Sequence, residues 1–431
     1  MKILFVDADF TKNNNFLLKK ITRIIGMSSL TFPQLYAVTP DQYDVDFIDE
    51  KYKKINLKKN YDYDIIAISS VTCNIKRAYE LADEFRKRGA TVVLGGWHPS
   101  ALPEEAKEHA DSVVIGEADY TWPDLLKDFE KGQMKPYYHE KKPVDLKSIK
   151  IADDKILEGF SIYSGFQATR GCPVGCSYCA MGNRKFGKKL RMFPLDSVIE
   201  SLKSIPQKYI FFHDSSLTSN PRYSKELFRA MKDLNKKFLC YGNANVLAND
   251  KELCRLSSEA GCLGWYIGFD SPLQESINSI PKPTNIVSEF KKTIDTIHDH
   301  NMIVIGTFIV GFDTDTKSIF NQTKNMIESL EIDSFGHNIL TPFPGTRIFK
   351  KFEKENRILT RDWSKYDGMN VVFEPKNMTP EELLEGSNNL HEYFNPKIDF
   401  LNQLFRSIKV AKWSLFFPAL YGTTYQFKKQ K

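Results

Sequence analysis

Cys172, Cys176 and Cys179 crowd three thiols into one short segment, with three and then two residues between them. Three thiolates in one tight loop can each bind one iron of a cubane iron–sulfur cluster. Cys73, Cys240, Cys254 and Cys262 lie apart in the chain and read as small buried apolar residues. No fourth thiolate is therefore at hand, and one iron keeps an open position of the kind that metal catalysis needs. A structural zinc site is the rival reading. Such sites are closed by four protein ligands, commonly in two pairs, and no second CxxC or CxH pair accompanies this one.

Other residues of the right type fall where strands should end. Gly95 and Gly96 follow Val92-Val93-Leu94 and let a bulky ligand approach the backbone. Ser69, Ser70 and Thr72 close the preceding apolar run and can donate to a phosphate or a ribose. Asp214, Asn243, Asn245 and Asp270 stand after later runs, and Gly306 bounds another. For any single Asn or Asp, ordinary turn chemistry weighs as much as ligand binding. His98 reads as a packed loop histidine before it reads as a ligand.

These positions need a scaffold, and the chain offers two alternating series. In the first, strands are expected at Ile3 to Val6, Val45 to Ile48, Ile65 to Ser69, Thr91 to Leu94 and Val113 to Ile115. Between two of them Ile75, Ala78, Ala82 and Phe85 recur at helical spacing, and Gly89 stops the helix. That is a βαβ unit, so residues 1–135 should form a doubly wound, Rossmann-like parallel sheet. Residues 136–160, rich in Lys, Pro and Asp, read as a linker.

The second series covers residues 161–360, with strands near 166–169, 209–213, 237–241, 264–269, 303–310 and 335–340 and helical patterns such as Val287 to His300 and Thr316 to Leu330 between them. Six strand–helix repeats predict a partial (β/α)6 barrel, with its chemistry at the carboxyl ends of the strands. The overall class is α/β. Residues 361–431 turn helical, and Thr379-Pro380-Glu381-Glu382 makes a helix start. The tail Ile408 to Lys431 mixes Trp413, Phe416, Phe417 and Tyr421 with basic residues. It reads as a helix over the barrel, with contact to a lipid surface or lipid substrate as the second reading.

A formal charge of +6 spread among acidic residues points to no nucleic-acid partner. The odd cysteine count fits a reducing compartment. The start Lys2-Ile3-Leu4-Phe5-Val6-Asp7 lacks signal-peptide character and no apolar run is long enough to span a membrane, so the expected location is cytoplasmic, with peripheral membrane contact through the tail.

CxxxCxxC with an aromatic residue before the last cysteine, here Tyr178, resembles the signature of the radical S-adenosylmethionine (SAM) superfamily. The resemblance implies a [4Fe-4S] cluster whose open iron is chelated by SAM. Reductive cleavage of SAM then gives a 5′-deoxyadenosyl radical that abstracts a substrate hydrogen. It also implies SAM contacts for Asp214, where relatives have a Gly-Gly-Glu-like turn, for Asn243, for Asp270, where they commonly carry Glu, and for Gly306, beside which adenine would lie. A one-electron donor such as flavodoxin or ferredoxin is implied as well.

The segments Ala78-Tyr79-Glu80-Leu81-Ala82, Val92 to Pro99 and Ala110 to Glu117 look like the cobalamin-binding domain of one large radical SAM subfamily. With Thr341-Pro342-Phe343-Pro344-Gly345-Thr346, the resemblance spans residues 1–395. Ser69, Ser70, Gly95 and Gly96 are then corrinoid contacts. The Asp-x-His-x-x-Gly motif that supplies a cobalt ligand elsewhere is missing, as is usual in this subfamily. The implied activity is cobalamin-dependent methylation of an unactivated carbon in a small-molecule or lipid substrate. The other reading is carbon–carbon coupling, cyclisation or rearrangement with a front domain that binds no cobalamin.

Overall fold

The structure is a computed structural model that describes residues 1–9, 29–152, 156–157 and 161–394. The tail from Ile408, with its lipid reading, and parts of the linker lie outside the described residues.

The first sheet holds β1 (Lys2–Asp7), β2 (Asp44–Asp49), β3 (Ile65–Ser69), β4 (Thr91–Gly95), β5 (Ser112–Ile115) and β6 (Tyr137–His139), all parallel, in the order β2-β1-β3-β4-β5-β6. Alternate residues feed two cores. Leu4, Val6, Ile66, Ile68, Val92 and Leu94 pack against Ile75, Ala78 and Ala82 of helix Ile75–Lys87. Ile3, Phe5, Ile65, Ala67 and Val93 pack against Phe32 and against Trp122, Leu125 and Leu126 of helix Thr121–Glu130. Burial on both faces explains why these strands read as unbroken apolar runs. From β1 the chain steps outward to β2 and then returns to β3 on the other side, so a crevice opens at the strands' carboxyl ends.

β6 falls inside the segment expected to be a linker and extends the sheet past residue 135. Three residues are too short for a periodicity, and only pairing with β5 makes Tyr137–His139 a strand.

The second sheet is β14 (Ser334–Ile339), β13 (Ile303–Val310), β12 (Cys262–Asp270), β11 (Lys237–Gly242), β10 (Tyr209–Phe212) and β7 (Tyr163–Phe166), again all parallel and in sequential order, as a partial barrel requires. Its helix-facing side buries Ile210, Phe212, Phe238, Trp265, Ile267 and Phe269. The opposite side carries Phe211, Leu239, Leu263, Ile303 and Ile305. β7 starts and ends three residues before the expected strand. The chain then jogs into β8 (Thr169–Arg170), which pairs antiparallel with β9 (Arg191–Met192). That short ladder ties off the base of the cysteine loop.

Helix Pro380–Phe394 begins as its sequence indicates. The Thr379 hydroxyl accepts the Glu382 N–H at 3.2 Å, and the Glu382 carboxylate accepts the Thr379 N–H at 2.9 Å. Just before it, Trp363, Tyr366 and Val372 join the front-domain core, and Lys76 pairs with Asp362 at 2.6 Å. Fully buried His98 meets Glu105 at 3.1 Å through Nε2, and the Trp363 indole N–H donates to the same carboxylate. Cys240, Cys254 and Cys262 are buried and Cys73 is half-buried. Among the described residues no helix is long and apolar enough to cross a membrane.

Candidate functional site

The cysteine loop leaves β8, carries Cys172, Cys176 and Cys179, turns through the short helix Ala180–Asn183 and returns to β9. Backbone packing here is tight enough to fix residue type. A Cβ on Gly187 would stand 1.7 Å from the Met181 carbonyl oxygen, so no side chain fits. The Cys172 N–H donates to the Gly187 carbonyl at 2.8 Å. Asn183 bridges the turn, its amide donating to the carbonyls of Cys176 at 3.0 Å and Cys179 at 2.7 Å. From the end of the barrel, Arg347 reaches the Gly175 carbonyl and the Ile348 N–H bonds Ser177 at 3.2 Å. The thiols are thus held by neighbours on both sides rather than by a flexible loop.

Burial pushes the Cys176 thiol up to about 12, with Lys282 pulling the other way, and burial raises Cys179 as well. Iron coordination needs thiolates, so loading this site must release protons. Among the described residues no three His, Cys, Asp or Glu side chains converge as a single-ion site requires, whereas a cubane spreads its thiolates over different irons. The donor set fits the cluster.

Beside the loop lies a buried polar chain. The Tyr178 hydroxyl donates to Asp270 at 3.2 Å, and the same carboxylate oxygen holds the Lys282 ammonium at 2.8 Å. Asp270 sits at a register shift between β12 and β13 with φ +64°, an uncommon conformation for a residue other than glycine. Lys282 and Asn285 also donate to the Gly268 carbonyl, at 2.6 and 2.7 Å. Burial raises the Asp270 carboxyl, and Lys282 and Tyr178 oppose that rise. The sequence reading missed Lys282. The only local signal is its place between Pro281 and Pro283, which stiffen the segment.

Asp214 is fully buried and taken up by backbone. It accepts the Thr169 N–H at 2.5 Å, the Thr169 hydroxyl at 2.6 Å and the Ala168 N–H at 3.1 Å, while burial pushes its carboxyl up to about 6. Asn243 caps β11 with its N–H on the Thr218 hydroxyl at 2.8 Å, and the Asn245 side-chain oxygen is buried without a hydrogen-bond partner. A Cβ on Gly306 would meet Ile332 and Phe269 of the core at 3.2 Å, so that side of the strand is crowded.

The strand ends of the two sheets face a shared cleft. One cavity of about 590 Å³ is lined by Ser69, Ser70, Gly95 and Gly96 from the front sheet and by Arg170, Gly171 and His213 from the barrel. A second, of about 400 Å³, shares Val71, Trp97 and Arg184 with it and adds Phe343, Pro344 and Gly345. Gly96 has φ +100°, and a Cβ there would come within 2.6 Å of the Ser70 carbonyl oxygen and 2.8 Å of the Ser69 hydroxyl. This close approach keeps the floor of the cavity flat and small-sided, which suits a broad ligand. Two ion pairs fix the domains around it. Arg170 grips Asp119 at 2.7 and 3.1 Å, and Arg191 grips Glu117 with two 2.7 Å bonds.

Comparison with known proteins agrees with this layout. The family model of the radical SAM superfamily matches residues 166–327, and that of the B12 binding domain matches residues 37–126. The chain is 32% identical over 358 residues to bacteriochlorophyllide d C-12(1)-methyltransferase of Chlorobaculum tepidum, covering 80% of this chain and 77% of that protein. It is 30% identical over 368 residues to the C-8(2)-methyltransferase of the same organism, covering 80% of each. Among solved structures, the radical S-adenosylmethionine methyltransferase TsrM from Kitasatospora setae, with cobalamin and a [4Fe-4S] cluster bound, superposes with a TM-score of 0.70 over 99% of both chains at 13% identity.

Proposed function

Because the chain belongs to the radical SAM superfamily and carries a B12 binding domain ahead of its barrel, we propose that it methylates an unactivated carbon on a chlorin-type tetrapyrrole. The enzyme class itself, a cobalamin-dependent radical SAM methyltransferase with a [4Fe-4S] cluster, follows from its relatives. The observation that carries the substrate reading is the cleft. It runs between the strand ends of both sheets and is walled by Trp97, Val71, Phe343 and Pro344, so a wide apolar molecule can reach both cofactor positions at once. Two relatives that methylate bacteriochlorophyllide d support the same class.

When bound, cluster and SAM supply a carbon-centred radical and the corrinoid carries the methyl group. The chain's own residues bind, orient and exclude water. Cys172, Cys176 and Cys179 would hold the cluster. Tyr178, Asp270 and Asn243 edge the SAM side, with backbone near Gly306 as its wall. Ser69, Ser70, Gly95 and Gly96 would receive the corrinoid. Asp214 acts as a positioning residue, since its oxygens already hold the backbone that leads into the cysteine loop. A small one-electron donor of the flavodoxin or ferredoxin class completes the reaction.

The test is an anaerobic reaction of reconstituted, cobalamin-loaded protein with bacteriochlorophyllide d, SAM and a reductant. The expected product is heavier by one methylene, with 5′-deoxyadenosine formed alongside. Formation of 5′-deoxyadenosine that no chlorin stimulates or consumes would sink the substrate reading.

A further inference from the structure

Three arginines, Arg170, Arg184 and Arg191, come together where the cysteine loop meets the front domain, and only two have carboxylate partners. Arg170 holds Asp119 and Arg191 holds Glu117, each through two bonds. The Arg184 side chain has no hydrogen bond or ion pair among the described residues. Its guanidinium lies 4.9 Å from the centre of the Trp97 ring. The nearby carboxylates are committed, Glu117 to Arg191 and Glu140 to the Glu117 N–H at 3.0 Å. Burial works against the Arg184 charge and the nearby charges of Glu117 and Glu140 offset only part of that, yet an arginine cannot shed its proton in a protein. A half-buried guanidinium with unsatisfied donors is costly unless something else meets them.

Both cavities of the cleft include Arg184 in their walls, and Trp97 lies beside it in each. A stacked guanidinium is pre-oriented, and its planar fork matches a carboxylate, the anionic group that a flat apolar chlorin acid carries. Phe343 and Pro344, which line the same cavity, offer apolar surface for the body of such a molecule. We propose that Arg184, held on Trp97, reads a carboxylate group on the substrate and so fixes which edge of the molecule faces the radical. The inference rests on the chlorin reading above and deepens it. The substrate is then a free acid, and an esterified chlorin is a poor ligand.

Binding of pheophorbide a and of its methyl ester to the full-length, cobalamin-loaded protein tests this, read by quenching of tryptophan fluorescence. Wild-type protein should bind the acid roughly tenfold or more tighter than the ester, the range expected of a charge-assisted bidentate contact. Arg184→Gln should erase that preference by weakening only the acid. Arg184→Lys should restore part of it, because an ammonium keeps the charge and loses the fork. Uptake of hydroxocobalamin should be unchanged in both variants, which also shows that they fold. Equal binding of acid and ester by wild type, or an undiminished preference in Arg184→Gln, overturns the inference and leaves the chlorin reading standing. Binding of neither pigment overturns both. Loss of hydroxocobalamin uptake in Arg184→Gln would instead give the guanidinium to the corrinoid and overturn the inference.

Discussion

The two parallel sheets solve the same problem in opposite ways. Each has six strands in parallel register with its candidate site at the carboxyl ends. The front sheet ends in small residues, Ser69, Ser70, Gly95 and Gly96, around a cavity of about 590 Å³. The barrel sheet ends in buried polar chemistry, with Asp214 bound to backbone and Asp270 bound to Lys282 and Tyr178, packed against a cysteine loop with no slack. A pre-made cofactor as broad as a corrinoid needs room and a smooth floor. A cluster assembled on thiolates needs three sulfurs held in place, and there the protein spends its hydrogen bonds on the loop.

If the sites are independent in this way, they should fail separately. Cys176→Ala should abolish the reduced-cluster electron paramagnetic resonance signal and all 5′-deoxyadenosine formation, while hydroxocobalamin still binds. Loss of corrinoid uptake in that variant would show that the two ends form one site. Gly96→Val should do the converse. Its new side chain collides with Ser70, so corrinoid uptake should fall at least about tenfold while the cluster signal persists.

Lys282→Met sharpens the contrast within the barrel. It leaves the Asp270 carboxylate buried without its cation, a change that costs about 3–5 kcal/mol. Urea unfolding should show that loss in the barrel transition, and a double variant with Asp270→Asn should recover much of it. A single-variant loss below about 1 kcal/mol would mean that the pair is water-exposed in solution.

The smallest effect concerns pH. His298 is paired with Asp333 at 2.8 Å, and that hydrogen bond raises its pKa against the opposing effect of burial. A raised folded-state histidine stabilises fully below the unfolded value, near 6.5, and that stability is lost as pH rises through the folded value. The barrel's melting temperature should therefore drop modestly above neutral pH, and His298→Gln should flatten the slope. An equal slope in the variant would remove His298 as its source. The front sheet has a titrating group of its own in Asp7 of β1, whose carboxyl burial pushes up to about 8, so its transition should also fall as pH rises toward that value.

How much of this was legible depends on distance along the chain. The cysteine triplet is local, so its chemistry is written in the spacing. Strands such as β3 and β13 are legible because burial on both faces forces unbroken apolar residues, and their bounds match the expected ones. β6 is illegible because its pairing with β5, not its composition, makes it a strand. Sequence places Asp214 at the end of a strand, but only the fold shows that its oxygens hold Ala168 and Thr169. Lys282 and Arg184 carried no motif at all.

The two alternating series, the order of the domains and the loop that holds three thiols can be read from the residues alone, since each follows from contacts between near neighbours or from a repeating pattern of burial. Which charges find partners and which do not emerges when the chain packs. Arg170 meets Asp119 across 51 positions and Arg191 meets Glu117 across 74, and no periodicity predicts either meeting. Arg184 is left facing the cleft because folding placed both nearby carboxylates in other hands.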